Sequence, residues 1–485
     1  MEDNVRTQKS IQRAALAVAM ITNFTSPFSA TALNIAVPHI GAEFHSAATS
    51  LSWIVLSFLM VTAILAIPFG RIADMRGRKT ILRVGILLIC VASFLNIFSP
   101  NMPVFYLLRV VQGIGAAMIY ATNTAILVSA FPPERRGSVL GIAVAAVFAG
   151  SASGPVVGGI ITHTFGWRAI FIAISAFALI AFVMAMTRLP KEKKPETKAK
   201  INYSSIVFYV LSLGLLLCGL ATLAQNIWSY FILGAGIVLI VLFVRHEART
   251  EAPLVEVRLF SKNLDFSLAN LAALFIFAAV FAVVYLMSLY LQLARGFNAD
   301  VSGIILISQP VVQIVLSPIA GRLSDKRSPA AIASIGMACC AGALFMFAFL
   351  DGQTPLAYIL AALLLTGFGV GLFSSPNANV VLGSVSKKDY SVATSVQSTA
   401  RTVGQVFGMA VLTIIINAVI GNVPIEHVAP AAIIRDMHIS FLVFAGVCII
   451  GILISLRRQG KAGPGKAEPG KAEPEEAGPG KAGDE

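Results

Sequence analysis

Apolar residues in this chain come in long unbroken runs, not in the alternating or three-to-four-residue stripes of a soluble domain. Runs long enough to cross roughly 30 Å of hydrocarbon, about 20 residues as a helix, fall near residues 14–40, 50–70, 80–98, 104–129, 138–163, 168–187, 204–225, 228–244, 266–292, 302–320, 330–350, 355–378, 392–420 and 438–456. A backbone crossing lipid must satisfy its own hydrogen bonds, so each run predicts a helix. The pattern therefore predicts an all-α polytopic membrane protein with fourteen transmembrane helices. Arg6, Lys9 and Arg13 precede the first run as they would in a secretory signal. That run outlasts a signal core and has no convincing cleavage site, so it reads as a retained first span.

Charge orients these spans. The chain has 36 Lys and Arg against 23 Asp and Glu, a net charge of +13. With the N-terminus in the cytoplasm, thirty of the basic residues fall inside, and only Arg168, Arg295 and Arg435 fall outside. Arg83, Arg109 and Arg401 lie within spans. This asymmetry predicts both termini in the cytoplasm and explains the positive charge without nucleic acid. Trp53, Trp167 and Trp228 all fall at the outer interface, as an aromatic belt would place them. A hydrophobic share of 57%, a charged share of 12% and a mean hydropathy of +0.83 exclude an ordinary soluble protein and support a cell-membrane location. Cys90, Cys218, Cys339, Cys340 and Cys448 fall in apolar runs, which indicates neither a disulfide framework nor a metal site. His39, His45, His163, His246, His427 and His438 are scattered, and there is no phosphate-binding loop. Neither an enzyme nor a bound cofactor is expected. From Gln459 the tail repeats Pro-Gly-Lys-Ala three times and is expected to be disordered.

The connection Gly70–Lys79, reading GRIADMRGRK, carries five charges between two apolar runs and reads as a short cytoplasmic hinge. A degenerate copy, Gly321, Arg322, Leu323, Ser324, Asp325, Lys326 and Arg327, follows about 250 residues later, which indicates a parallel duplication. Six spans precede and six follow an extra pair. The resulting division is residues 1–188, an inserted pair and linker over 189–264, residues 265–457, and a tail over 458–485.

The string Gly70, Asp74, Gly77, Arg78, Lys79 resembles the loop signature of the major facilitator superfamily of secondary transporters, where it acts as a cytoplasmic latch with Asp325 as the weaker counterpart. Arg109, Gln112 and Gly113 match that family's R-x-x-Q-G motif. Gly150, Gly154, Pro155, Gly158 and Gly159 match its antiporter motif, associated with exporters. Thr31, Asn34, Ala36 and Pro38, then Tyr290, Leu291 and Gln292 with Gly296 and Gly303, resemble the fourteen-span drug:proton antiporter branch. Gly367, Gly369, Gly371, Pro376, Asn377, Arg401 and Gly404 resemble its later spans. The resemblance implies a major facilitator fold arranged 6+2+6 and assigns proton coupling to Arg109. An arginine in a span is itself a functional candidate, although it could instead snorkel or tie two helices together. The glycines repeat every four residues and clear a helix face, and with Pro155 they are expected to form the seam between the two bundles.

Ser29 stands where the branch usually has an aspartate, and the predicted spans place no acidic residue in a span interior; Asp265 and Asp300 stand at span ends. Arg109 and Arg401 then leave the interior neutral to positive, which favours neutral, zwitterionic or anionic amphiphiles. Polar residues within apolar runs, Asn34, Gln112, Asn123, Gln309, Gln313, Asn377 and Arg401, are the candidate lining of a central substrate cavity, each equally suited to an interhelical hydrogen bond. The expected function is proton-coupled antiport that exports hydrophobic or amphiphilic compounds, as in multidrug efflux, by alternating access. The alternatives are export of an endogenous anionic or lipid-like metabolite, and a transport-inactive sensor or scaffold.

Overall fold

The computed structural model describes residues 2–189, 202–223, 227–250, 253–254, 260, 263–324, 326–385, 390–421, 423–424 and 427–459. Its helices are α1 (Glu2–Glu43), α2 (Ala48–Arg76), α3 (Arg78–Asn96), α4 (Met102–Ala130), α5 (Pro133–Phe165), α6 (Arg168–Thr187), α7 (Tyr203–Thr222) and α8 (Trp228–Glu247). They continue with α9 (Leu264–Leu289), which runs into a π-helical turn at Tyr290–Ala294. Next is α10, helical over Ala299–Leu306 and Ser308–Ser324, and then α11 (Pro329–Phe347), α12 (Leu356–Gly383), α13 (Tyr390–Val419) and α14 (Pro430–Gln459). All fourteen contain a stretch long and apolar enough to cross a membrane.

Helix starts follow local chemistry. Asn101, Asn202 and Asn263 accept at Oδ1 from the backbone N–H of Val104, Ser205 and Phe266, and Ser328 Oγ accepts from Ala331. Each satisfies an N–H that the first helical turn leaves without a partner. The Gly70–Lys79 hinge is shorter than the charge pattern suggests: Gly70 to Arg76 complete α2, and α3 begins at Arg78. Gly77 alone makes the turn, at φ 103°, with its N–H on the Ala73 carbonyl. A left-handed φ is open to glycine at little cost, which allows one residue to reverse the chain. A second correction concerns the last span, which starts at Pro430 and not near residue 438. Asp436 therefore lies inside a membrane helix, contrary to the expectation that no acid does.

The duplication is visible in the packing. In the first group, α1 packs on α5 and α6, α2 and α3 on α4, and α3 on α6; in the second, α9 packs on α13 and α14, α10 and α11 on α12, and α11 on α14. Small residues repeat the same close approaches. Gly113 of α4 abuts the Phe58 backbone of α2, and Gly367 of α12 abuts the Gln309 backbone of α10. Gly150 of α5 abuts Phe24 of α1, and Gly404 of α13 abuts Leu274 of α9. Asn123 of α4 donates to the Ala19 carbonyl of α1, and Asn377 of α12 donates to the Ala269 carbonyl of α9. The pair α7–α8 packs on itself and touches α2 and α13.

The two groups close on each other at the end remote from Gly77. There Ser288 Oγ donates to the Asn34 carbonyl (2.8 Å), Gln292 Nε2 donates to the Ile35 carbonyl (3.1 Å), and His163 Nδ1 lies 3.6 Å from Asp300 Oδ2. Gly303 of α10 sits against the Pro155 backbone of α5, and Gly159 against the Ala299 backbone.

Candidate transport pathway

Most of the polar residues singled out in the sequence turn inward within one group of helices. Asn123 is buried and donates to Thr22 Oγ1 (3.0 Å) and Asn23 Oδ1 (2.7 Å), joining α4 to α1. Asn377 is fully buried against α9. Gln309 and Gln313 are buried in α10, and Gln309 Oε1 has no partner. Asn34 is buried beneath the closed end, where its carbonyl accepts from Ser288 across the groups and its side-chain amide has no partner.

Arg109 is 0% exposed. Its Nε donates to the Ile54 carbonyl of α2 (2.9 Å) and its Nη1 to Gln112 Oε1 (2.6 Å). Gln112 Nε2 passes the link to Ser93 Oγ of α3 (2.8 Å), and the guanidinium lies 4.4 Å from the centre of the Phe58 ring. Arg109 therefore ties α4 to α2 and, through Gln112, to α3. One nitrogen, Nη2, is buried without a partner. A cavity of about 10 Å³ beside this network is lined by Thr25, Ser26, Ser29, Phe58, Ile89, Gln112 and Ile174. Room for about one water thus adjoins Ser29, the position that lacks the branch's aspartate.

Arg401 is different. It is half-buried, close to mid-helix in α13, and its guanidinium lies 4.6 Å from the Phe277 ring centre of α9. Tyr120 of α4, from the other group, is its electrostatic neighbour and is 43% exposed. A cation over one aromatic face, with a phenol from the other group as its electrostatic neighbour, brings charge, a flat apolar surface and a hydroxyl to one region between the groups. Tyr120 carried no sequence signal: it is one aromatic among the 9% of the chain that are Phe, Trp or Tyr, and only its electrostatic proximity to Arg401 singles it out.

The glycine motif divides by partner. Gly150, Gly154 and Gly158 face α1 within their own group, where an added Cβ would collide with Phe24, Thr31 and Ala32. Only Gly159 and the Pro155 carbonyl meet the other group, at α10. The seam expected between bundles is thus largely a seam inside one. In the latch, Gly70 is helical and Gly77 is the turn, with Arg78 and Lys79 opening α3. Asp74 lies in the last turns of α2, and Asp325 lies outside the described residues.

The profile of the Major Facilitator Superfamily matches residues 19–409 and 269–481. The chain is similar to the riboflavin transporter RibZ of Clostridioides difficile (strain 630), with 28% identity over 442 residues covering 91% of this chain and 96% of RibZ. It is also similar to the multidrug resistance protein Stp of Mycobacterium tuberculosis (strain H37Rv), with 26% identity over 386 residues covering 78% and 71%. Among solved structures, a bacterial homologue of the human lysosomal transporter Spinster, inward-facing and unoccupied, superposes with a TM-score of 0.68 at 17% identity, covering 94% of this chain and 99% of that one. The human organic anion transporter MFSD10 superposes with a TM-score of 0.64 at 14% identity, covering 92% and 99%.

Proposed function

The chain belongs to the Major Facilitator Superfamily, and from that premise we propose that it exports amphiphilic aromatic compounds, neutral or anionic, in exchange for protons. It is a multi-pass plasma-membrane transporter and not an enzyme. The observation that carries the substrate class is Arg401. A half-buried cation within a span is costly unless it serves a pathway, and this one lies over Phe277 with Tyr120 as its electrostatic neighbour. A planar compound can stack there while a negative or strongly polar group meets the guanidinium. The names of two relatives, a riboflavin transporter and a multidrug resistance protein, are compatible with planar aromatic cargo. The proton-antiport part rests on the antiporter and R-x-x-Q-G motifs. Export of an endogenous anion is the second reading, favoured by the same arginine.

The test uses proteoliposomes with an acidic lumen and a lumenal pH dye, to which fluorescein, riboflavin and ethidium are added in turn as anion, neutral compound and cation. Proton release on adding fluorescein or riboflavin, lost in Arg401→Ala, is the expected result. Release with ethidium alone overturns the substrate class. Transport of any of the three without proton movement overturns antiport.

A further inference from the structure

Asp436 is 1% exposed and lies in the second turn of α14, within a membrane-spanning stretch. Its Oδ1 has no hydrogen-bond partner. On the facing helix α9, the Tyr285 hydroxyl is likewise buried without a partner, and the electrostatic neighbours of Tyr285 are Asp436 and Tyr106. Ser440, one turn further along α14, adds a third orphaned oxygen. Buried polar groups are ordinarily paired, and a carboxyl group held inside a membrane without a cation is expensive to keep. Three such oxygens on two packed helices therefore call for a ligand that brings its own hydrogen. A proton is the smallest that does.

The position of this group gives it a route across the protein. Tyr285 lies three residues before Ser288, whose hydroxyl closes the two helix groups together on Asn34. Tyr106, its neighbour from the other group, donates to the Ser50 carbonyl of α2 (2.7 Å) and stands one turn from Arg109 on α4. Asp436, Tyr285, Tyr106 and Arg109 thus line up across the closed end. No other charge at this end answers Asp436 among the described residues. Arg295 is engaged with the Thr354 carbonyl, Arg435 points outward, and His438 is bonded to the Leu350 carbonyl (2.6 Å). Tyr290 donates to the Asp351 carbonyl. The Asp351 carboxylate, in the loop, is held below its ordinary range by the Thr354 hydroxyl and the Gln353 N–H. Of the other helices against α14, α11 contributes Cys339 and Cys340, with Cys340 beside Cys448 deeper in α14, and α13 contributes Arg401 near its own middle.

We propose that Asp436 is a proton-carrying group of the transport cycle, sealed from water while the two helix groups are closed at the Ser288–Asn34 end and reached when that end opens. When that end opens, its carboxylate takes one proton from hydronium, the hydronium O–H breaking to leave water as the carboxyl O–H forms, and on the return step the carboxyl O–H breaks and the proton passes to water. No other atom changes partners covalently. The inference rests on the antiport reading for the use made of that proton, and the experiment separates the two.

The first measurement needs no substrate. The full chain in lipid nanodiscs is examined by infrared difference spectroscopy between acid and alkaline pH. A carbonyl band of a protonated carboxyl that vanishes in Asp436→Asn and moves in Asp436→Glu is expected. If Asp436→Asn does not insert, Asp436→Glu decides alone, and an unmoved band overturns the proposal. The second measurement is transport in proteoliposomes of fluorescein and riboflavin. Asp436→Asn should lose accumulation driven by a pH gradient by about tenfold or more while keeping exchange of labelled for unlabelled compound. Gradient-driven accumulation at wild-type level in that variant overturns the proposal and leaves antiport standing. A wild-type protein that has the band but shows no gradient-driven transport overturns antiport and leaves Asp436 as a proton site.

Discussion

Arg109 and Arg401 are both arginines inside membrane spans, yet their surroundings give them opposite work. Arg109 is enclosed, with two of its nitrogens bonded to Ile54 and Gln112 and its charge over Phe58. Removing it strands Gln112 Oε1 and takes the interhelical bond from the Ile54 carbonyl, which costs about 1–3 kcal/mol. Arg109→Met should therefore lower the thermal midpoint in detergent whether or not substrate is present. Arg401 lies over an aromatic face and has an electrostatic neighbour in the other group, so its loss falls on binding. A cation–π contact with partial desolvation contributes roughly 1–2 kcal/mol, or about tenfold in affinity. Arg401→Ala should raise the KM for fluorescein by about that factor with the thermal midpoint unchanged. Arg401→Lys should recover only part, because the ammonium lacks the planar face that stacks. An equal fall in midpoint for both positions would remove the distinction. From sequence Arg109 was the candidate for proton coupling and Arg401 for the cavity lining, but the burial of neither was legible, since it depends on which helices surround each one.

Helix α5 shows how one motif serves two contacts. Its glycines at 150, 154 and 158 recur on one face and seat α1, whereas Pro155 and Gly159 point to α10. Adding bulk should therefore have different effects by position. At Gly303, a Cβ would collide with the Pro155 backbone across the groups. Gly303→Val should force this end apart while each group stays folded. The readout is disulfide cross-linking between cysteines placed at 163 and 300, whose native side chains lie 3.6 Å apart. Cross-linking should slow by about tenfold in the Gly303→Val background, which corresponds to about 1.4 kcal/mol and lies within the roughly 1–3 kcal/mol of overlap in a packed interior. Gly150→Val acts inside one group and should instead reduce the yield of folded protein. A cross-linking rate unchanged by Gly303→Val would show that the contact does not hold the end closed. The repeat every four residues was legible in the sequence. Which partner helix each glycine meets was not, because small residues announce a close approach without saying to what.

For the whole molecule, the two groups repeat the same internal packing, and the inserted pair α7–α8 attaches to α2 and α13. No helix–helix packing joins α6 to α7 among the principal contacts of the described residues. The connection between them should therefore be dispensable as a covalent link. A chain cut between residues 190 and 201 and expressed as two fragments should reassemble, with the fragments co-purifying and fluorescein transport restored. Fragments that fold but fail to co-purify would mean that chain continuity, not the interface, holds the groups together. Such association relies on van der Waals fit and hydrogen bonds such as Ser288–Asn34, since lipid offers no hydrophobic gain for bringing apolar helices together.

Sequence alone determined that this chain is a bundle of fourteen membrane helices with an internal duplication. Those features follow from the length of each apolar run and from charged strings such as Gly70–Lys79, which hydrocarbon excludes. It also selected Arg109, Arg401 and the α5 glycines as positions that need a reason. Tertiary structure decided what those reasons are. It reduced the hinge to Gly77, turned Arg109 and Asn123 into ties between helices, brought Tyr120 to Arg401, and carried Asp436 into a span beside Tyr285. The physical cause is the same each time. Hydropathy reports whether a segment enters the membrane, but an individual polar side chain is bound, buried or open according to the neighbour that faces it, and that neighbour comes from a distant part of the chain.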